Sequence, residues 1–205
     1  MVVVTSHRGN NANLIAEVAS LYIPDNATVA DVTYGKGAFW TKTDLTRFHL
    51  KGSDLKPLNE DVLCADFRNL PYADGSLDAV ILDPPYIHNP GNHVTDTRYN
   101  NAETTKGLYN ADIMKLYEAG MSEANRVLKS KGGQLWVKCK DEVESNTQRW
   151  SHIYLYEIAQ RLGFYAKDLF VLTPDSNTTS NRWPGKQRHA RKNHSYLWVF
   201  EKKGK

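Results

Sequence analysis

The chain has 205 residues, 40% of them hydrophobic, which is enough to bury a sizeable core within one ordinary domain. A formal net charge of +3 excludes the strongly basic body of a non-specific nucleic-acid coat, so any argument from charge must rest on local clusters. No apolar run approaches the roughly 18 residues that cross a bilayer, and no charged-then-apolar leader opens the sequence, so a cytoplasmic protein without a membrane partner is expected.

Residues 11–22, NANLIAEVASLY, put Leu14, Ile15, Val18, Leu21 and Tyr22 at helical spacing and predict a helix. A Pro-Asp-Asn break then leads into ATVADVTYGKG, an apolar run closing on glycine that predicts a strand and a turn. Further strands are expected at 48–55, 61–67, 77–83 and 132–140, and helices at 110–129 and 147–163, with Gly163 placed for a helix C-cap. AKDLFVLT and HSYLWVFEK supply two strands near the carboxyl end. Strands alternating with helices, several of them continuously apolar, indicate a doubly wound α/β domain over 1–205. Its seven-stranded sheet is mostly parallel, with an antiparallel C-terminal edge. Two polar segments, 87–108 and 173–194, are long loops of the kind that carry function. Cys64 and Cys139 lie far apart in strand-like runs and are expected as buried thiols, not as a disulfide or a zinc set. His88 and His93 are expected as polar loop groups rather than metal ligands, and no metal is required.

In an open parallel sheet, ligands bind beyond the carboxyl ends of the strands. Gly35 and Gly37 follow the first predicted strand and would let the backbone turn sharply and approach a ligand closely. Neither a P-loop nor a GxGxxG motif is present. Asp31, Asp54 and Asp66 each end one of three successive predicted strands. Any one of them alone reads more readily as a turn residue or N-cap. Together they point to a nucleoside cofactor, with the second acid accepting ribose hydroxyls and the third an adenine amino proton.

The fourth strand ends in Asp83-Pro84-Pro85-Tyr86. The ordered set Asp31, Gly35, Gly37, Asp54, Asp66 and this DPPY resembles the motifs of the S-adenosylmethionine-dependent amino-methyltransferases. That group contains the adenine-N6 and cytosine-N4 DNA methyltransferases. DVTYGKGA is similar to its DPFxGxGT motif, with Val32 and Thr33 in place of Pro-Phe and Ala38 in place of Thr. The resemblance implies a Rossmann-like fold and S-adenosylmethionine as cofactor, held by Asp31, Thr33, Tyr34, Gly35 and Gly37, with Asp54, Asp66 and Phe67 completing the site. It also implies that the helix at 11–22 helps cover the methionine end, and that NHSYLWVFEK is the final strand.

The chemistry gives each letter of the DPPY a task. An exocyclic amine is a poor nucleophile because its lone pair is delocalised into the ring. Hydrogen bonds accepted by Asp83 and by the Pro84 carbonyl would localise that pair and stabilise the positive charge developing on nitrogen. Pro84 and Pro85 fix the backbone, and Tyr86 offers a stacking face to a base flipped from its duplex. No cysteine follows a proline, so ring-carbon methylation through a thiolate is not the expected chemistry.

The segment 181–194 clusters Arg182, Lys186, Arg188, Arg191 and Lys192 around Trp183, a composition suited to phosphates and bases and equally found in plain solvated loops. Nucleic acid, DNA before RNA, is the expected partner, and Arg98 and Lys106 place charge in the other long loop. Adenine N6 is the first expected target. Guanine N2 in ribosomal or transfer RNA, cytosine N4 in DNA, protein glutamine, and a catalytically silent nucleic-acid-binding subunit are the alternatives. A separate recognition domain would not fit this length, so selectivity is expected in the two loops, in a dimer mate or in a second subunit.

Overall fold

The computed structural model describes residues 2–88, 107–175 and 187–204. In chain order the elements are β1 (Ser6–Arg8), α1 (Asn11–Tyr22), β2 (Thr28–Asp31), β3 (His49–Asp54), β4 (Leu63–Cys64) and β5 (Ala79–Leu82). They continue with α2 (Asn110–Val127), β6 (Lys131–Cys139), β7 (Glu142–Glu144), β8 (Thr147–Arg149), α3 (Ser151–Arg161), β9 (Phe164–Thr173) and β10 (Ser195–Lys203).

Eight strands form one sheet in the order β1-β9-β10-β6-β5-β2-β3-β4, and β10 alone runs antiparallel to both neighbours. The period of two sends alternate residues of each strand to opposite faces. On one face Val29, Ile81, Trp136 and Val199 pack under α1 through Leu14, Ile15 and Val18. On the other, Ala30, Val80, Leu82 and Val137 pack under α2 and α3 through Ile113, Tyr117, Met121, Leu155 and Ile158. Each large apolar side chain so buried contributes about 1.5–3 kcal/mol of transfer free energy. The Asn10 side chain caps α1 by accepting from the Asn13 amide at 3.0 Å. Gly163 ends α3 in the left-handed conformation at φ 83°, as its position in the sequence suggested.

The doubly wound, mostly parallel architecture agrees with the sequence reading, and four details differ from it. The antiparallel strand lies inside the sheet, because β9 and then β1 extend the sheet beyond it. The strand β1 has three residues, too few for a period to register. The helix expected from 147 begins only at Ser151, because Thr147–Arg149 folds back on Glu142–Glu144 as a hairpin. Ser145 and Asn146 both take positive φ at its turn, 46° and 64°, the geometry of a tight two-residue hairpin. Cys139 is buried as expected, but Cys64 is exposed, because β4 is the short outermost strand. No helix among the described residues is long and apolar enough to cross a membrane.

The chain leaves β2 toward β3 on one side of the sheet, while β5 lies on the other. The strand order therefore reverses between β2 and β5, and the ends of these two strands border the crevice where open α/β sheets take ligands.

Candidate active site

Asp31, the last residue of β2, is 2% exposed. Its carboxylate accepts from the Trp40 indole Nε1 at 2.7 Å and from the Thr33 amide at 3.1 Å. The turn from 34 to 40 folds that indole back over the acid, and it needs glycine to do so. Gly35 and Gly37 sit at φ 53° and 68°, and a Cβ on Gly37 would stand 2.7 Å from the Tyr34 hydroxyl. The Tyr34 ring also crosses Gly52, where a Cβ would meet it at 2.8 Å. Asp54 ties this turn to the end of β3: its carboxylate accepts from the Gly35 amide at 2.9 Å and from the Lys56 amide at 2.9 Å. Burial pushes the Asp31 carboxyl up to about 7, against the pull of Trp40 and Thr33, and the neighbouring Asp83 and Asp54 push it the same way.

Asp83 follows β5, one strand away. Its amide donates to Thr33 Oγ1 at 2.8 Å, so Thr33 bonds to Asp31 through its own amide and to Asp83 through its hydroxyl. The Asp83 Oδ1 atom is shut off from solvent and has no hydrogen-bond partner among the described residues. Burial raises this carboxyl to about 6, opposed by the positive charge of Lys138. Pro84 is buried, and Tyr86 packs at the margin of the core under α2 and α3.

The structure thus links Asp31, Thr33 and Asp83 in one hydrogen-bonded set, with the Gly35–Asp54 pair beside it on the same turn. Asp66 stands further out, two residues past β4, and connects through the Ala65 amide, which donates to the Asp54 carbonyl at 3.0 Å. Arg68 grips its carboxylate, with Nη2 at 2.5 Å, and holds its pKa below the usual carboxylate range. Any nucleobase amine reaching Asp66 would share it with that guanidinium. Phe67 lies against α2 at Gly120, where a Cβ would stand 2.7 Å from the ring.

No family model and no curated protein sequence matches this chain. Solved structures do. A SAM-dependent methyltransferase from Methanosarcina mazei, 13% identical, superposes with a TM-score of 0.54 over 92% of this chain and 98% of its own. A TehB-like SAM-dependent methyltransferase from Corynebacterium glutamicum, 14% identical, gives 0.52 over 92% and 87%. A Haloferax volcanii chain in complex with the Trm112 methyltransferase activator, 19% identical, gives 0.56 over 94% and 89%. The fold is that of the S-adenosylmethionine-dependent methyltransferases. At these identities the likeness is one of architecture, and the site chemistry must come from this chain's own residues.

Past Asp83 the chain carries a second polar cluster that the sequence did not disclose. Glu142 on β7 accepts from His88 Nδ1 at 2.6 Å and from the Asn110 side-chain amide at 2.8 Å. Glu144, two residues on, accepts from the Asn110 backbone amide at 2.6 Å and pairs with Arg149 at 2.8 Å. His88, expected as a plain loop group, therefore has an acidic partner, which raises its pKa. This cluster holds the tail of the DPPY against the start of α2. Beyond it Trp150 is 53% exposed, and the Lys192 ammonium stands 5.7 Å from its ring centroid. His189 Nε2 lies 3.0 Å from the Asn146 carbonyl, seating the end of the basic segment on the β7–β8 turn. Arg188 and Arg191 are exposed, whereas Arg182, Trp183 and Lys186 lie outside the described residues, as do His93, Arg98 and Lys106.

Proposed function

We propose that this chain is an S-adenosylmethionine-dependent methyltransferase acting on an exocyclic amino group of a nucleic-acid base, with adenine N6 in DNA as the first target. The observation that carries the proposal is the Asp83 Oδ1 atom: a buried acceptor without a partner among the described residues, at the end of β5 and next to the end of β2. Burying such an acceptor costs free energy unless a donor arrives, and an amine N–H is a fitting donor.

The residues around Asp31 suit the cofactor. The left-handed turn at Gly35 and Gly37 lets the backbone come close to a ligand, and Asp54 at the tip of β3 is placed to accept ribose hydroxyls. When bound, S-adenosylmethionine supplies an electrophilic sulfonium methyl. Asp83 and the Pro84 carbonyl accept the N–H groups of the target amine and turn its lone pair out of conjugation. An ionised Asp83 also stabilises the positive charge that grows on that nitrogen. Tyr86 stacks on the base and returns part of the few kcal/mol spent in unstacking it. The exposed Arg188 and Arg191, together with Lys192 beside Trp150, support a path for the phosphates and flanking bases, with Arg182 and Lys186 in the same segment.

The deciding experiment presents labelled methyl donor with DNA, RNA and protein in parallel, then digests the product and identifies the modified nucleoside. N6-methyladenine in DNA is expected. Asp83→Asn is expected to lower turnover at least about 100-fold while calorimetry shows cofactor binding retained. Label confined to protein, or an Asn variant as active as the parent, would overturn the proposal.

A further inference from the structure

Lys138 stands at the penultimate position of β6, in the middle of the apolar run LWVKC. The parallel register pairs Ile81 with Trp136 and Leu82 with Val137, and its continuation sets Lys138 beside Asp83. Both side chains take the face that Ile81 and Trp136 share, the one under α1. The lysine is 2% exposed. Its ammonium donates to the Ser195 hydroxyl of β10 at 2.5 Å, and its own carbonyl accepts from the Tyr117 hydroxyl of α2 at 2.8 Å, which fixes the strand locally.

A buried ammonium needs more compensation than one hydroxyl provides, and lysine is almost never fully buried without an opposite charge. We propose that Lys138 is a positioning residue for the transfer reaction: next to Asp83 by strand register and bonded to Ser195, its ammonium holds the Asp83 side chain in the ionised state that accepts hydrogen bonds from the target amine. The proposal rests on the role given to Asp83 above. Among the described residues, the other groups facing the pair do not replace this charge. Asp31 on β2 is a second acid, and Lys140 adds like charge to Lys138. Tyr117 on α2 and Cys139 on β6 are kept neutral by burial. Lys138 is thus the positive charge acting on a carboxyl that desolvation already lifts to about 6. Its removal would carry Asp83 toward the protonated form at neutral pH.

The test is a titration of the aspartate side-chain carboxyl carbons by 13C NMR, with the Asp83 signal identified by its loss in Asp83→Asn. In the parent the Asp83 midpoint is expected near 6. In Lys138→Met it should rise by about 1 pH unit or more. Ser195→Ala strips the ammonium of its hydroxyl partner, makes it easier to deprotonate, and should move the midpoint the same way by less. The acid limb of methyl transfer should shift in step, and Lys138→Met made on Asp83→Asn should add no further shift. An unmoved Asp83 midpoint in a Lys138→Met protein of parental melting temperature would overturn the proposal. If that variant does not fold, an unmoved midpoint in Ser195→Ala does so. Absence of methyl transfer by the parent would instead count against the proposed function, since the titration needs no turnover.

Discussion

Asp31→Asn should reshape the dependence of stability on pH in a way that no surface acid can. The Asp31 carboxyl titrates near 3.8 when exposed and near 7 when buried in the fold, a difference of about 3 units. At 1.36 kcal/mol per unit this amounts to about 4 kcal/mol. Because the folded value is the higher one, the folded state keeps a proton that the unfolded chain releases. Its stabilising contribution is complete below about pH 4 and is lost as pH rises through about 7. Asparagine carries no titrating proton. It also keeps only one acceptor for the two donors, Trp40 Nε1 and the Thr33 amide, which costs about 1 kcal/mol at every pH. Urea unfolding of both proteins in steps from about pH 4.5 to about pH 7.5 separates the two effects. The parent's advantage over the variant should shrink by about 3 kcal/mol across that range. Stability curves that run parallel would refute the reasoning, because they would mean that Asp31 is solvated or remains ionised throughout.

Gly37→Ala should cost about 1–3 kcal/mol in urea unfolding and weaken cofactor binding, since φ 68° disfavours a side chain and the new Cβ would meet Tyr34 at 2.7 Å; unchanged stability would show that the turn relaxes freely. Glu142→Gln should lower the His88 midpoint read by imidazole proton NMR, because the hydrogen bond that His88 donates to Glu142 is the main cause of its elevation; an unmoved midpoint would mean that the pair does not form in solution. Replacing Arg188 and Arg191 together by alanine should reduce the slope of log affinity against log salt for an oligonucleotide by about 2, and an unaltered slope would place the nucleic acid elsewhere.

The architecture was readable because its signals are periodic. Helix α1 matches the apolar stripe of Leu14, Ile15 and Val18, and β5 matches the continuous run before Asp83. What escaped was either short or nonlocal. The three-residue strands β1, β7 and β8 hold too few residues for a period, and Ser145-Asn146 is a weaker hairpin signal than Asn-Gly. In the site, the acids at the strand ends were legible from the rule about carboxyl ends, but their partners were not. Trp40 reaches Asp31 across nine residues of turn, and Glu142 reaches His88 across 54. Two signals were available and unread: a buried indole usually needs an acceptor, and a lysine inside an apolar strand needs a charge.

The placement of the awkward groups argues for function more strongly than the motif does. Elsewhere the buried acids Glu144 and Asp141 have charged or ionisable partners, Arg149 and His152, while Arg161 and Glu118 meet in an exposed pair worth little to stability. At the ends of β2, β5 and β6 the opposite holds. Asp31 is buried with its pKa pushed up to about 7, and among the described residues Asp83 keeps an oxygen without a partner and Lys138 is buried beside it without closing an ion pair. Apolar residues of similar volume at these three positions would give a more stable sheet, since buried charges seldom recover their desolvation. A protein that only needed to fold would have no use for them. A site that must accept a proton-bearing amine beside a cationic donor does, because an acceptor already desolvated and held ionised need not be reorganised when charge develops.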